Sequence, residues 1–406
     1  MAADVKIFAQ DLEKSAQQQI ARLAELPPYD GATIRIMPDA HAGAGCVVGF
    51  TANVTDHVIP NVIGVDIGCG LLAVRLDEKA DEALARKLDA CAHERVPVGM
   101  EVHETPTLDK SRLSELSCSA DLKAHDRLVR SLGTLGGGNH FIECDVDPDG
   151  APWLVIHTGS RNIGKQVAEI YQALAAARHR GNSKSDREEL IARLKEEGRE
   201  REIASALADL VRKASDNEQT TPDDLWWLSG SDKDDYLHDM GICQALAHEN
   251  RWRIVEQLKS GGIRVTDDVV SSVHNYIDLE NGVSRKGAIA AYEGQRLIIP
   301  LNMAAGCVIG TGRGNADWNN SAPHGAGRRM SRGAARRELV MEEYRHMMEG
   351  VFSTTVCEQT IDEAPQAYKD PRTIVDSLGP TVDVDFVMRP IWNFKATQDK
   401  PVWKRK

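Results

Sequence analysis

The sequence predicts a mixed α/β fold with a β-rich core and one mostly helical insertion. Two observations predict this class. Short apolar or β-branched runs bounded by Gly, Asp and Pro, which are typical of buried strands, recur between residues 33 and 157. Helical periodicity then dominates residues 162–262, and strand-like runs return from residue 263. We therefore expect a sheet core whose chain is interrupted by a helical excursion.

The individual elements follow from the same patterns. We expect strands at residues 33–37, 46–51, 71–75, 153–157, 263–266, 269–273, 296–299 and 307–309. We expect helices at residues 79–93, 120–132, 162–180, 184–216, 232–260 and 331–349. The charges of 184–216 indicate a solvated helix with i,i+4 ion pairs, and a surface that grips RNA is the other interpretation. Residues 310–327 are predicted to form a long loop, which is usually functional at that length.

Length and composition limit the class of protein. The 406 residues carry a net charge of −12, so the average composition does not indicate non-specific binding of nucleic acid, although a local basic channel is compatible with it. The eight cysteines include no CxxC pair, which indicates reduced thiols in a cytoplasmic protein. The first residues lack an apolar signal core, and no run of 18 apolar residues predicts a membrane span.

Metal-ligand residue types occur in several glycine-rich segments. Asp66 and Cys69 share the run Asn-Val-Ile-Gly-Val-Asp-Ile-Gly-Cys-Gly, and His140, His157 and His274 each lie beside Gly, Asn, Ser or Thr. A thiolate can bridge two metal ions, while a carboxylate and imidazoles complete their coordination. We expect these five residues to form a two-metal centre, and the donor set suits zinc or manganese about equally. In the alternative interpretation, Cys69 is a buried small residue and each His is an ordinary core or surface residue.

His324 is a different kind of candidate. It lies in Ser-Ala-Pro-His-Gly-Ala-Gly-Arg, a turn of small residues at a predicted helix start. Such a backbone can approach a phosphate closely, and a neutral imidazole there can attack a phosphorus atom. Arg328 and Arg332 follow at helical spacing and could bind phosphates. The other interpretations of His324 are a further metal ligand or a turn residue.

Three weaker features leave two interpretations each. Asp39, in Met-Pro-Asp-Ala-His-Ala-Gly, either orients a metal ligand or forms a turn. Arg161 and the Arg285–Lys286 pair either contact phosphate or are solvated charges. The glycines of residues 133–138 match no phosphate-binding loop or dinucleotide fingerprint, so neither of those folds is predicted.

These motifs, in this order and with this internal spacing, resemble the RtcB RNA ligases. The resemblance rests on Asp-Ile-Gly-Cys-Gly at 66–70, Leu-Gly-Gly-Gly-Asn-His-Phe-Ile-Glu at 135–143, His-Thr-Gly-Ser-Arg at 157–161, His-Asn-Tyr at 274–276 and the His324 segment. It extends over nearly the whole chain. It implies an α/β fold peculiar to that family, with a deep two-metal cleft. Because the candidate ligands span the chain, we expect a single catalytic domain over residues 1–406, with its helical excursion at about 162–262.

The resemblance also implies an activity and a role for each residue. It implies a GTP- and Mn²⁺-dependent ligase that joins RNA with a 2′,3′-cyclic phosphate or 3′-phosphate end to RNA with a 5′-hydroxyl end. Asp66, Cys69 and His140 are expected to hold one Mn²⁺, and Cys69, His157 and His274 the second. His324 is expected to accept GMP from GTP. The expected nucleotide-binding residues are Asn139, His140, Phe141, Glu143, His274, Asn275, Pro300, Met303, Ala326, Gly327 and Lys395. Arg161 and Arg332 are the expected RNA phosphate contacts.

One segment departs from the family pattern. Many members have Pro-Gly-Ser-Met where this chain has Pro300-Leu301-Asn302-Met303, and Cys307 replaces a serine. The nucleotide contacts at these positions are therefore open, while the reaction class is not. The physiological RNA, from tRNA splicing or from repair of broken RNA, and any protein partner are also open.

Three other functions use the same residues. The first is a metal-dependent RNA phosphatase or cyclic phosphodiesterase that does not join ends. The second is a non-catalytic RNA-binding module, and the third is a zinc hydrolase of small molecules. Covalent labelling by GTP distinguishes the ligase from the first. The complete set of metal ligands argues against the second, and the His324 motif disfavours the third.

Overall fold

A computed structural model describes residues 2–180, 184–216 and 222–397. Its strands, numbered in chain order, are β1 (Asp4–Ile7), β2 (Thr33–His41), β3 (Val48–Asn53), β4 (Gly70–Leu76), β5 (Phe141–Val146), β6 (Pro152–Thr158), β7 (Val265–Val273), β8 (Asn275–Asp278), β9 (Val283–Lys286), β10 (Ala288–Ala290), β11 (Arg296–Asn302), β12 (Gly306–Gly312), β13 (Ser321–Pro323), β14 (Val382–Val387) and β15 (Arg389–Phe394).

The helices lie mostly between the early and late strands. They are α1 (Lys14–Ala24), α2 (Pro60–Ile63), α3 (Glu82–Arg95), α4 (Ser111–Ser114), α5 (His125–Leu128), α6 (Arg161–His179), α7 (Lys184–Glu196), α8 (Ile203–Asp216), α9 (Gly230–Ser260), α10 (Arg332–Glu338), α11 (Met341–Met347) and α12 (Pro371–Ser377). Among the described residues, no helix is long and apolar enough to cross a membrane.

Among the described residues, the strands form two five-stranded sheets and two smaller ones. The first large sheet has the order β1-β2-β3-β9-β8, and the second has the order β15-β5-β6-β4-β7. The second sheet is antiparallel throughout. A three-stranded sheet, β11-β12-β14, and the β10-β13 pair complete the set. The predicted mixed α/β class is therefore confirmed.

The second five-stranded sheet is covered on both faces because its side chains alternate between them. One face, which includes Leu72 and Ile142, packs against α3 and α9. The other, which includes Leu71 and Phe141, packs against Ile298 and neighbouring residues of the three-stranded sheet. Burial on both faces explains why strands such as β6 read as continuous apolar runs instead of alternating patterns. The sheet is thus an internal support, and the ends of its strands can carry a site.

Several element boundaries differ from the sequence prediction. The helix expected at 120–132 is only one α-turn, α5, because Ala124 adopts a left-handed φ of 58° just before it. The helix expected at 331–349 is split into α10 and α11 by the extended residues Leu339 and Val340. The single helix expected at 184–216 is two helices, separated near Gly198, whose φ is 70°. Within the predicted loop 310–327, β13 pairs with β10.

Candidate active site

Four candidate metal ligands lie together at the ends of four neighbouring strands of the second five-stranded sheet. β5, β6, β4 and β7 are consecutive antiparallel neighbours, so the starts of β4 and β5 meet the ends of β6 and β7. Cys69 immediately precedes β4 and His140 immediately precedes β5. His157 lies near the end of β6, and His274 directly follows β7. The strand order therefore brings together residues that are far apart in the sequence.

The donor atoms of these residues converge. The Cys69 Sγ atom is 3.5 Å from His140 Nε2 and 3.4 Å from His157 Nε2. His157 Nε2 is 3.4 Å from His274 Nε2, and Asp66 Oδ2 is 2.9 Å from His140 Nε2. Two ligands of one tetrahedral ion, bound at about 2.1 Å, are about 3.4 Å apart. The atoms form two groups that share Cys69, one with Asp66 and His140 and the other with His157 and His274.

The protonation states suit metal binding. Burial lowers the pKa of both His157 and His274 well below its usual value, so each imidazole is neutral at physiological pH. Burial alone would raise the pKa of Asp66, but the contacts with His140 and Arg161 outweigh it and lower that pKa. Burial raises the pKa of the Cys69 thiol, so binding of a cation must displace its proton.

Contacts with residues outside the candidate ligand set orient the ligand side chains. His140 Nδ1 is 3.0 Å from the carbonyl oxygen of Leu135, which can only accept a hydrogen bond, so Nδ1 carries the proton and Nε2 is free to bind a cation. Asp66 Oδ1 is buried without a hydrogen-bond partner and is available as a ligand. A Cβ atom on Gly159 would lie 2.2 Å from this oxygen, so only glycine leaves room for the carboxylate. The residues present therefore fit a pair of divalent cations bridged by a thiolate.

His324 is adjacent to this centre and has its own carboxylate partner. Its ring centroid is 5.1 Å from that of His274. Its Nδ1 is 2.7 Å from Oδ2 of the fully buried Asp39, which also accepts a hydrogen bond from the His324 backbone N–H. A carboxylate partner keeps the proton on Nδ1 and leaves the lone pair on Nε2. Of the two interpretations of Asp39, the turn former is wrong, because Asp39 lies within β2.

A cavity of about 70 Å³ adjoins His324 and is lined by most of the expected nucleotide-binding residues. Its lining includes Asn139, Phe141, Glu143, Pro300, Met303, Ala326 and Lys395. Leu301 and Asn302, which depart from the family pattern, also line it. Four of the expected residues do not line it: His140, His274, Asn275 and Gly327. The Gly327 backbone packs on the Asp39 carbonyl group, and Asn275 donates a hydrogen bond to the Asp66 carbonyl oxygen.

Lys395 belongs to the sheet and is not a solvated tail residue. It directly follows β15 and is 3% exposed. Its Nζ atom is 2.9 Å from Oε2 of Glu363 and lies over the Phe141 ring at 5.4 Å. Arg332 approaches the same carboxylate, with NH1 2.7 Å from Glu363 Oε1. Arg328 NH1 is also 3.1 Å from Oε1, so three cations that were predicted to bind phosphate or nucleotide share the single negative charge of Glu363.

Arg161 lies beside the candidate metal ligands. Its backbone has a φ of 59°, a left-handed conformation that costs a residue other than glycine about 1 kcal/mol or more. Its guanidinium occupies the space that a Cβ atom on Gly136 would fill, and NH1 is 3.3 Å from His140 Nδ1. Arg285 and Lys286 are both buried, so the interpretation as solvated charges is wrong for this pair.

Sequence reasoning missed residues that position the centre from α9 and from residues 358–363. The buried Arg251 donates hydrogen bonds to the carbonyl oxygens of Gly68 and Thr158, at 3.0 and 2.8 Å. Asn250 accepts a hydrogen bond from the Gly133 N–H and donates one to the Gly159 carbonyl. In the sequence both residues fit the polar positions of an ordinary amphipathic helix. Glu363 gave no signal because its cationic partners are distant in sequence.

Comparison with known proteins identifies the family of this chain. The family model described as "RtcB: tRNA-splicing ligase RtcB" matches residues 19–121 and 107–396. The chain belongs to the RtcB family. It is 29% identical to the RNA-splicing ligase RtcB of Escherichia coli strain K12 over 429 aligned residues, which cover 96% of each chain. It is also 29% identical to RNA-splicing ligase RtcB1 of another Escherichia coli strain, with the same coverage. The RtcB match includes every candidate site residue from Asp39 to Lys395.

Proposed function

We propose that this RtcB-family protein is a GTP- and Mn²⁺-dependent RNA ligase. It joins RNA that ends in a 2′,3′-cyclic phosphate or a 3′-phosphate to RNA that begins with a 5′-hydroxyl. Family membership supports RNA ligation as the activity. The observation that carries the mechanism is the Asp39–His324 pair beside the Cys69 centre, because it joins a polarised imidazole to a group of metal ligands.

His324 is the nucleophile of the first step. Its Nε2 atom attacks the α-phosphorus of GTP, an N–P bond forms, and pyrophosphate leaves with the electrons of the broken P–O bond. The imidazole gains positive charge as this bond forms. The carboxylate of Asp39, 2.7 Å from Nδ1, stabilises that charge and holds the ring in one tautomer. The product is a histidine–GMP adduct that stores part of the energy of GTP.

The adduct is then transferred to RNA and displaced. An oxygen of the RNA 3′-phosphate attacks the phosphorus of the adduct, the N–P bond breaks, and His324 is regenerated. The new RNA 3′-end is a diphosphate linked to guanosine. The 5′-hydroxyl of the second RNA attacks the RNA phosphorus, GMP leaves, and a 3′,5′-phosphodiester forms. A 2′,3′-cyclic phosphate is first opened by water to give the 3′-phosphate.

Two Mn²⁺ ions are the proposed cofactor. Asp66, Cys69 and His140 would hold one, and Cys69, His157 and His274 the other, as their converging donor atoms suggest. When bound, these cations neutralise phosphate charge and lower the pKa of coordinated water. The carboxylate ligand and positions left open to substrate are compatible with manganese, although the thiolate also suits zinc.

The cavity beside His324 is the proposed nucleotide site. Its volume of about 70 Å³ is well below the roughly 300–1,000 Å³ of typical small-molecule pockets, so nucleotide binding requires the lining side chains to move apart. Lys395 can exchange its contact with Glu363 for one with the nucleotide. Arg328 and Arg332 line a groove of about 1,400 Å³ and are proposed to contact the RNA there. Arg161 is a further proposed phosphate contact.

The proposed biological role is tRNA splicing or repair of broken RNA. The departures at Leu301, Asn302 and Cys307 change the nucleotide-facing segment and leave the metal ligands and His324 intact. They therefore support a change in target or in nucleotide contacts without a change in chemistry.

Labelling with GTP tests the proposal. The protein is incubated with Mn²⁺ and GTP labelled at the α-phosphate, and acid-labile label on the protein is measured. We expect label on the wild type and none on His324→Ala. The labelled wild type should then seal RNA with 3′-phosphate and 5′-hydroxyl ends. A protein that removes or opens terminal phosphates without ever taking up label is instead a phosphatase or cyclic phosphodiesterase.

A further inference from the structure

A second cluster of metal-ligand residues lies outside the Cys69 centre. Glu143 and Asp145 are two residues apart on β5, so both side chains point toward the three-stranded sheet. Cys307 on β12 points back toward them, with Sγ 3.2 Å from Glu143 Oε1. All three residues are buried, and one donor atom of each lies within 4.8 Å of the others. Three acidic groups of two strands thus meet in the interior.

The cluster lacks enough hydrogen-bond partners. The Cys307 thiol donates to Glu143 Oε1, and the Asn393 amide donates to Oε2 at 2.9 Å. Asp145 is 0% exposed, and among the described residues neither of its oxygens accepts a hydrogen bond of good geometry. The thiol and backbone N–H of Cys307 lie close enough to lower the pKa of Asp145, but burial raises that pKa by more. A buried carboxylate with so little hydrogen bonding is strongly destabilising unless it binds a proton or a cation.

The pKa values of the three groups also indicate that the cluster binds either protons or a cation. Burial raises the pKa of Glu143 to about 7 and raises the pKa of Asp145 and Cys307 well above their usual values. Lys395 is the cation that acts on Glu143, and its ammonium already pairs with Glu363. Without another cation, the three buried groups must therefore hold protons among themselves.

We propose that Glu143, Asp145 and Cys307 form a third divalent-cation site in this protein. Two carboxylates and one thiolate combine hard and soft donors, a set that suits Zn²⁺ and disfavours Mg²⁺. A divalent cation offsets most of the charge of the three deprotonated groups. The cation replaces the protons that the cluster would otherwise hold.

The proposed site has a structural role beside the nucleotide cavity. Glu143 also lines that cavity, so a cation at Oε1 fixes the carboxylate at the cavity floor. It also links β5 of the second five-stranded sheet to β12 of the three-stranded sheet. The inference does not depend on the ligase proposal, because it concerns metal content alone.

Metal analysis is the first test. Wild type and Asp145→Asn are loaded with Zn²⁺ without GTP or RNA, dialysed, and analysed by mass spectrometry for bound metal. We expect about one equivalent less in Asp145→Asn than in wild type, and about one equivalent retained in Cys69→Ser, which lacks the bridging thiolate. Equal zinc content in Asp145→Asn and wild type overturns the proposal and leaves a cluster that shares protons.

Cobalt substitution is the second test and reports on the thiolate directly. In the Cys69→Ser background, Co²⁺ bound by Cys307 should give a thiolate-to-cobalt charge-transfer absorption. We expect that absorption to disappear when Cys307→Ser is added and to persist when Cys144→Ser is added instead. Cys144 is a matched control, since it is also buried and lies on the opposite face of β5. No charge-transfer absorption in Cys69→Ser alone overturns the proposal, even if Asp145→Asn fails to fold.

Discussion

Nδ1 of His324 and Oδ2 of Asp39 are 2.7 Å apart, and Asp39 is completely buried. The same carboxylate oxygen accepts a hydrogen bond from the backbone N–H of His324, so one residue fixes both the ring and the main chain of the proposed nucleophile. Gly327 makes this geometry possible, because a Cβ atom there would lie 2.0 Å from the Asp39 carbonyl oxygen. The pair provides a sharp test of the proposed mechanism.

Replacing His324 by Ala should abolish covalent GMP capture and leave metal binding largely intact. The reason is that His324 belongs to the turn after β13, apart from the Cys69 set. The variant should still seal RNA that is supplied with a preformed 3′-diphosphate-guanosine end. Acid-labile GMP on the variant protein would show that another residue is the nucleophile.

Replacing Asp39 by Asn should slow GMP capture by about a hundredfold or more, because the ring then lacks the carboxylate that fixes its tautomer and stabilises its charge. The measurement is the single-turnover rate of label uptake from GTP. Asp30→Asn, at an exposed position, is the control and should keep the wild-type rate. A full-rate Asp39→Asn enzyme would mean that Asp39 only supports the fold.

Replacing Cys69 by Ser should weaken both metals of the centre together, because a hydroxyl is a poor substitute for a bridging thiolate. Metal analysis after dialysis should show a loss of more than one equivalent relative to wild type. Cys357→Ser, at the one cysteine that is not fully buried, should retain the wild-type content. Full metal content in Cys69→Ser would exclude the bridging role even if activity fell.

The site was more predictable than the boundaries of its elements. Asp66, Cys69, His140, His157 and His274 could be found because their glycine-flanked segments do not follow ordinary amphipathic patterns, and the structure brings them together. The predicted helix at 120–132 was wrong because its apolar spacing comes from core contacts of turns, such as those of Leu128 and Leu132, and not from one helical face.

Other features depended on long-range pairing that a single sequence does not contain. β1, β14 and β15 are edge strands, and their pairing with β2, β12 and β5 is not visible from local patterns. The same holds for Glu363, whose role depends on its ion pairs with Lys395 and Arg332. The burial of Lys395 has the same origin, because it directly follows β15, which pairs with β5.

The stability of the protein should depend on pH through His41. Burial, then the nearby His324, lowers the pKa of His41 from 6.5 to about 4. Below pH 6.5 the unfolded chain binds a proton at this residue that the folded protein excludes, so folding stability falls as the pH drops from about 6.5 to 4, by up to about 3 kcal/mol. Urea unfolding at about pH 7.5 and pH 5 should show a smaller loss for His41→Asn than for wild type. Equal losses would exclude His41 as a source of the pH dependence.

Lys395 should be needed for GMP capture, while the residues after it should not. Its ammonium is buried between Glu363 and the Phe141 ring at the edge of the proposed nucleotide cavity, where a charge-assisted contact with the nucleotide is strong. Lys395→Ala should slow guanylylation about tenfold or more, equivalent to about 1.4 kcal/mol. Glu363 keeps Arg328 and Arg332 as partners in that variant, so the fold should survive the loss.

Deleting residues 396–406, of which 398–406 lie outside the described residues, should spare most of the activity. Guanylylation rates of the two variants decide the matter, since a full-rate Lys395→Ala enzyme would leave this lysine with only its ion pair to Glu363.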